Sequence, residues 1–139
     1  MDDSSPLHLL EIAISFGDCD PAGIVYYPNY FRWFDRCFHS YVAARHGGHD
    51  ALRRALQSRG LGLVSASGRF RTPGLEGELL RVEMRAVNWS KRTMTLGYIA
   101  RVGERVVIEG EEVRAIFVED GAGGIRAGSM EPFREMVDG

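Results

Sequence analysis

Asp18, Asp20, Pro21 and Gly23 put two carboxylates around a tight turn, and the chain runs from there into Tyr26, Tyr27, Tyr30, Phe31, Trp33 and Phe34. Proline presets φ and glycine accepts conformations that side chains resist, so Pro21 and Gly23 fit such a turn. A carboxylate fixed there can attack a carbonyl carbon or take a proton from water. If a helix starts just beyond it, unpaired N–H groups and the positive end of the helix dipole face a developing oxyanion. Together these are the parts needed for acyl transfer to water. The ordinary use of the same residues stays open, because Asp before a helix commonly caps its N–H groups.

The neighbouring pattern supplies the helix. From Tyr30 to His46, a period of 3.6 gathers Tyr30, Trp33, Phe34, Cys37, Phe38, Tyr41 and Ala44 into one apolar stripe, with Arg32, Arg36 and Ser40 opposite. Gly47-Gly48 ends it, and a shorter helical piece covers 50–56. Before the turn, residues 7–16 alternate as a strand with Leu10, Ile12, Ile14 and Phe16 on one face. After Gly60 the chain changes to strands, predicted over 63–72, 79–89, 93–102 and 105–119, the last long enough to require a bulge near Gly110. The tail past Asp120 reads as a Gly-rich loop with at most a short final helix. The resulting class is α+β, an antiparallel sheet of about five strands on one long helix, as a single domain spanning 1–139. One helix is too little to cover such a sheet, so a second copy is expected at an edge or face, as a homodimer or homotetramer.

Composition narrows the function. Lys plus Arg number 17 against 19 acids, a net charge of −2, which argues against a dedicated nucleic-acid binder. The opening residues MDDSSPLH lack the basic stretch and apolar run of a secretory signal, no segment has the length of a membrane span, and a cytoplasmic location is expected. Cys19 and Cys37 are then two free thiols rather than a disulfide. Cys19, Cys37, His39, His46 and His49 include zinc-type ligands, but no close pair repeats as a ligand module would, so no metal is assigned. Cys37 falls in the apolar stripe, the place of an inert buried thiol. There is no P-loop, GxGxxG or GxSxG, which leaves nucleotide hydrolysis, dinucleotide cofactors and serine-hydrolase chemistry without support.

The string FGDCDPAGIV, followed by YPNY and RWxD, resembles the hotdog-fold acyl-CoA thioesterases, and within them the 4-hydroxybenzoyl-CoA thioesterase branch. The family's Asp-x-x-Gly stands here as Asp20-Pro21-Ala22-Gly23. The resemblance implies a sheet wrapped around the long helix. It implies Asp20, not Asp18, as the catalytic carboxylate, Gly23 as the shaper of the turn, and the Tyr27 backbone N–H as the group polarising the thioester carbonyl. Asp35 matches the position that receives the ring hydroxyl of an aromatic acyl group. Lys91 and Arg92, after Trp89, match the basic residues that contact the phosphates of coenzyme A. No cofactor is implied, since coenzyme A is part of the substrate.

Tyr26, Tyr27 and Tyr30, where the helix begins, are placed to line an acyl pocket. The chain departs from the branch at Ser90, Phe31 and Tyr26, where a basic residue, a His and a Trp are usual, and across 60–64, which is shorter. By residue pattern alone, Asp35 is equally a flank carboxylate paired with Arg32 or His39. The expected activity is hydrolysis of an aromatic acyl-CoA. The alternatives are a short-chain aliphatic acyl-CoA thioesterase and a non-catalytic acyl-CoA-binding hotdog protein. A hydratase or dehydratase would pair a His with the Asp, and no His follows Asp20 in the motif loop.

Overall fold

The cleanest alternations in the sequence become the middle of the sheet in the computed structural model, which describes residues 5–139; the start of the MDDSSPLH segment, residues 1–4, lies outside the described residues. β3 (Leu79–Trp89), β4 (Met94–Val102) and β5 (Arg105–Glu119) are consecutive antiparallel neighbours. β1 (His8–Ala13) pairs with β3 and β2 (Gly60–Phe70) with β5, giving the order β1-β3-β4-β5-β2. A short β6 (Ile125–Ala127) adds to β5. The helices are α1 (Pro28–His46), α2 (His49–Leu56) and α3 (Glu131–Asp138).

α1 begins two residues before Tyr30, because Pro28 needs no N–H partner in the first turn and its φ already suits a helix. Gly47, at φ 81°, ends it in the left-handed conformation. Tyr30, Trp33, Phe34, Cys37, Phe38, Tyr41 and Val42 are buried, whereas Ala44 is exposed. They meet Val82 and Met84 of β3, Leu96, Tyr98 and Ala100 of β4 and Ile108 of β5, all buried on the sheet's inner face. Each large apolar side chain buried here contributes about 1.5–3 kcal/mol.

Several expectations are corrected. β1 ends at Ala13, so Phe16 leaves the strand phase, opens a 3-10 turn and is 79% exposed. Gly110 is not a bulge; it stands in regular register between Gly68 and Tyr98. A Cβ at Gly110 would lie 2.3 Å from the Phe34 ring, and Phe34 stacks on Tyr98 at 4.6 Å. Glycine there lets the helix approach the sheet. The extra residue of β5 is Val107, since Arg101 pairs with Val106 and Ala100 with Ile108. The tail does end in a short helix, α3, whose Phe133 is fully buried near Trp89 and His46, but the segment before it forms β6 rather than only a loop.

Two ends of the sheet result. One gathers the end of β1, the β2–β3 connection and the start of α1. The other gathers the β3–β4 turn, β6, α3 and the end of α1.

Candidate active site

Backbone pairing explains the shape of the segment between β1 and α1. Ser15 and Asp18 close on each other: the Ser15 N–H and hydroxyl donate to Asp18 Oδ2 at 2.9 and 3.0 Å, and the Asp18 N–H returns a bond to the Ser15 carbonyl. The chain then folds as a small hairpin. Tyr26 N–H donates to the Asp18 carbonyl, Cys19 and Val25 form a bridge, and Asp20 N–H donates to the Ile24 carbonyl. At its tip the Gly23 N–H reaches the Asp20 carbonyl at 2.9 Å, with Gly23 at φ 83°. Val25 N–H to the Gly74 carbonyl ties the hairpin to the β2–β3 connection.

Asp20 is thereby half pinned. Its Oδ1 accepts the Ala22 N–H at 2.9 Å, and Oδ2 accepts nothing among the described residues. The carboxylate borders a cleft of about 420 Å³ with Phe16, Cys19, Pro21, Gly23 and Glu76. A larger concavity, about 700 Å³, lies on the outer sheet face around Arg85, Gly97 and Glu109, where Asp20 has no part.

The helix start is equally specific. The Asn29 amide donates to the Asp18 carbonyl at 2.9 Å, which fastens α1 to the hairpin. In the first turn Asn29 N–H donates to Tyr26 and Tyr30 N–H to Tyr27, and Pro28 has none. Among the described residues the Tyr27 N–H donates to no protein acceptor, at the positive end of a 19-residue helix. An open carboxylate oxygen and an unspent N–H thus share one rigid unit, the arrangement that adds a nucleophile to a carbonyl and stabilises the oxyanion formed.

The other tyrosines differ among themselves. Tyr26 and Tyr27 are exposed, and Tyr27 meets Phe70 edge-on. Tyr30 is 4% exposed and its hydroxyl accepts the Gly74 N–H at 3.1 Å, so it belongs to the core beneath the hairpin.

Asp35 lies eight residues along α1 from Tyr27, about 12 Å along the axis. Arg32 does not pair with it and donates to Asn29 instead. His39 lies 3.4 Å from Asp35, and Arg114 of β5 donates to Asp35 Oδ1 at 2.8 Å. The His39 contact contributes most to lowering its pKa, partial burial opposes it, and Arg114 lowers it further; the carboxyl sits at about 2. His39 acts as a cation only when protonated, whereas Arg114 does so at every relevant pH.

Arg114 is a residue that the sequence reading missed. It is 1% exposed, as is Glu112, which accepts from Arg114 Nε at 3.0 Å and from the Tyr98 hydroxyl at 2.6 Å. The available signal was phase: Glu112 and Arg114 fall on the same face of β5 as buried Ile108, where alternation calls for apolar residues.

Lys91 and Arg92 are exposed on the β3–β4 turn, beside the C-terminal segment. The Lys91 carbonyl accepts the Met130 N–H and Arg92 donates to the Ala127 carbonyl at 2.8 Å. The Asp20 hairpin abuts the opposite end of β3, through Ile14 N–H to the Glu78 carbonyl. Eleven strand residues separate the two ends, about 30 Å at the usual rise. One chain does not bring them together.

Both cysteines are free thiols, and burial raises Cys37 to about 12. Among the described residues no cluster of three His, Cys, Asp or Glu side chains is arranged to hold a metal. No helix among them is long and apolar enough to cross a membrane.

Comparison with known proteins gives four findings. Residues 14–134 match the model of the thioesterase-like superfamily. The chain is 30% identical over 116 residues to 4-hydroxybenzoyl-CoA thioesterase from Pseudomonas sp. (strain CBS-3), covering 78% of this chain and 81% of that one. The three-dimensional structure of that enzyme superposes with a TM-score of 0.80 at 26% identity, covering 92% and 96% of the two chains. A 1,4-dihydroxy-2-naphthoyl-CoA thioesterase from Synechocystis also has a TM-score of 0.80, at 17% identity and with 94% and 95% covered, a likeness of fold.

Proposed function

The chain belongs to the thioesterase-like superfamily and is an acyl-CoA thioesterase of the hotdog fold; from that premise we propose that its acyl group is aromatic, of the benzoyl or hydroxybenzoyl type, and that Asp20 supplies the carboxylate. The observation that supports the Asp20 assignment is that its Oδ2 is open and that the Tyr27 N–H, at the helix start the same hairpin leads into, is unspent. The aromatic class rests on the 30% identical relative, which is named for 4-hydroxybenzoyl-CoA.

In the reaction the thioester carbonyl oxygen sits on the Tyr27 N–H, which together with the helix dipole stabilises the oxyanion. Asp20 Oδ2 attacks the carbonyl carbon, or takes a proton from a water that does so. By the first route the C–S bond breaks to a mixed anhydride and CoA thiolate, and water then cleaves the anhydride. By the second, water oxygen enters the acid directly. Both routes yield free acid and CoA. A single turnover in ¹⁸O-labelled water tests the first route: label entering Asp20 marks an anhydride cleaved by water at the Asp20 carbonyl.

Tyr26 and Tyr27 border the acyl group with Tyr30 behind them, Gly23 holds the turn, and Asp35 receives a ring hydroxyl. Lys91 and Arg92 contact the CoA phosphates. Their distance from the Asp20 of the same chain then requires a second copy to supply them, as a homodimer or homotetramer. The edge strand β2 supports this: from Leu63 to Phe70 it is exposed, and Arg69 is its one charged residue. Size-exclusion chromatography with light scattering tests it, with a monomer as the contrary result.

Thiol release from benzoyl-, hydroxybenzoyl-, phenylacetyl- and aliphatic CoA thioesters tests the activity and its class together. Fastest release is expected from the benzoyl or hydroxybenzoyl compound. Preference for the aliphatic series removes the aromatic assignment, and absence of release from every compound removes the activity.

A further inference from the structure

Beneath α1 the inner face of the sheet carries a polar chain that the acyl-transfer step does not use. Tyr98 of β4 donates to Glu112 at 2.6 Å, and Arg114 donates through Nε to Glu112, through Nη1 to the Leu61 carbonyl at 3.2 Å and through Nη2 to Asp35 at 2.8 Å. The guanidinium lies 4.1 Å from the centre of the Phe38 ring, so its plane is held as well as its hydrogen bonds. Burying such a group is a poor means to stability, since well-packed apolar residues in its place are often neutral or better. Glu112 already provides Arg114 with a buried counter-charge. Asp35, whose side chain is 46% exposed, is a second anion on the same cation. The buried set therefore ends in one oriented carboxylate at the surface of α1.

We propose that Arg114, held by Glu112 and Tyr98, is a positioning residue for substrate selection: it fixes Asp35 through Oδ1, so that the other oxygen faces a hydroxyl on the acyl group. The inference rests on the reading of Asp35 as the hydroxyl acceptor. The groups around the pair divide the charge consistently. His39 of α1 touches Asp35, and His49 of α2 packs against His39 with ring centroids 5.2 Å apart. Glu112, Arg114, Tyr98 and the buried Cys37 lie on the other side. Burial raises the Glu112 pKa and the Tyr98 pKa, while the contacts of Asp35 lower its own. Of the two carboxyls sharing Arg114, the inner is the one pushed toward its protonated form, and the outer remains an acceptor.

The test is the ratio of kcat/KM for 4-hydroxybenzoyl-CoA over benzoyl-CoA, which cancels the step that both substrates share. Asp35→Asn is expected to lower the ratio about tenfold, the size of one charge-assisted hydrogen bond. Arg114→Met combined with Glu112→Gln, which leaves no unpaired buried charge, is expected to lower it by about threefold or more. Arg114→Lys, the variant that keeps the charge and most of the volume, should fall between this pair and wild type. The pH profile separates positioning from packing. The wild-type ratio should hold from pH 5 to about 3, and in the double variant it should decline over that span as the Asp35 carboxyl returns toward its ordinary value of 3.8. A wild-type ratio and flat profile in both Arg114 variants, with the Asp35→Asn ratio lowered, overturns the role of Arg114 alone. A wild-type ratio in Asp35→Asn overturns the Asp35 reading and the inference with it.

Discussion

Two carboxylates flank the first two turns of α1, and the protein holds them in opposite ways. Asp20 stands on an exposed hairpin with one backbone N–H on Oδ1 and, among the described residues, no ion pair. Asp35 is fastened by Arg114, whose other contacts are buried and complete. A carboxylate that must attack or take a proton needs an oxygen with its lone pairs unspent. A carboxylate that must orient a neutral donor is better fixed and permanently charged. The contrast extends to the supporting chain. Backbone bonds and Asn29 hold the Asp20 hairpin, whereas Phe38, Tyr98 and Glu112 hold Asp35 through the core.

Substitutions should therefore separate the two regions by stability. Arg114→Met alone leaves Glu112 buried without its cation and is expected to cost about 3–5 kcal/mol in urea unfolding; a change below about 1 kcal/mol would show that the network is loosely held. Gly110→Ala forces a methyl against the Phe34 ring, and about 1–3 kcal/mol should be lost. Tyr30→Phe leaves the Gly74 N–H beneath the hairpin without its acceptor, for about 1 kcal/mol by the same measurement. A smaller effect is the pH term of Asp35. Its pKa is lowered from 3.8 to about 2, so its stabilising contribution is present above 3.8 and is lost as pH falls through about 2. Because the side chain is nearly half exposed, solvent screening keeps that term under about 1 kcal/mol. Asp35→Asn should accordingly differ from wild type in stability at pH 6 and converge with it near pH 2. Asp20→Asn, in contrast, should shift stability by less than about 0.5 kcal/mol at either pH, since the amide oxygen still accepts the Ala22 N–H.

The sequence made one of these regions far easier to read than the other. The hairpin is local: Asp20, Pro21 and Gly23 lie within four residues, and turn chemistry is written in such short spans. Period 2 also bounds β3 and β5 correctly, and period 3.6 with the glycine stop gives α1 and its end at His46, two residues short at its start. What failed depended on distant partners. Gly110 suggested a bulge because glycine in a strand often marks one, but its reason is the Phe34 ring, 76 residues earlier. Asp35 does meet His39, one of the two helical neighbours its spacing offered, but not Arg32, and its shortest contact is 79 residues away in β5. Arg114 and Glu112 broke the apolar phase of their strand, and that break was the one trace of the network the sequence carried. Lys91 and Arg92 sit on a turn placed correctly, but their distance from Asp20 follows from sheet order, which local pattern does not encode.

Thiol release by Asp20→Asn, beside Asp18→Asn and wild type, tests the central claim most directly. The assay should use whichever aromatic acyl-CoA the wild-type protein cleaves fastest. Asp20→Asn is expected to lower kcat about a thousandfold or more, and Asp18→Asn, which keeps an acceptor for Ser15, should remain within about tenfold of wild type. Near wild-type turnover in Asp20→Asn would contradict the account.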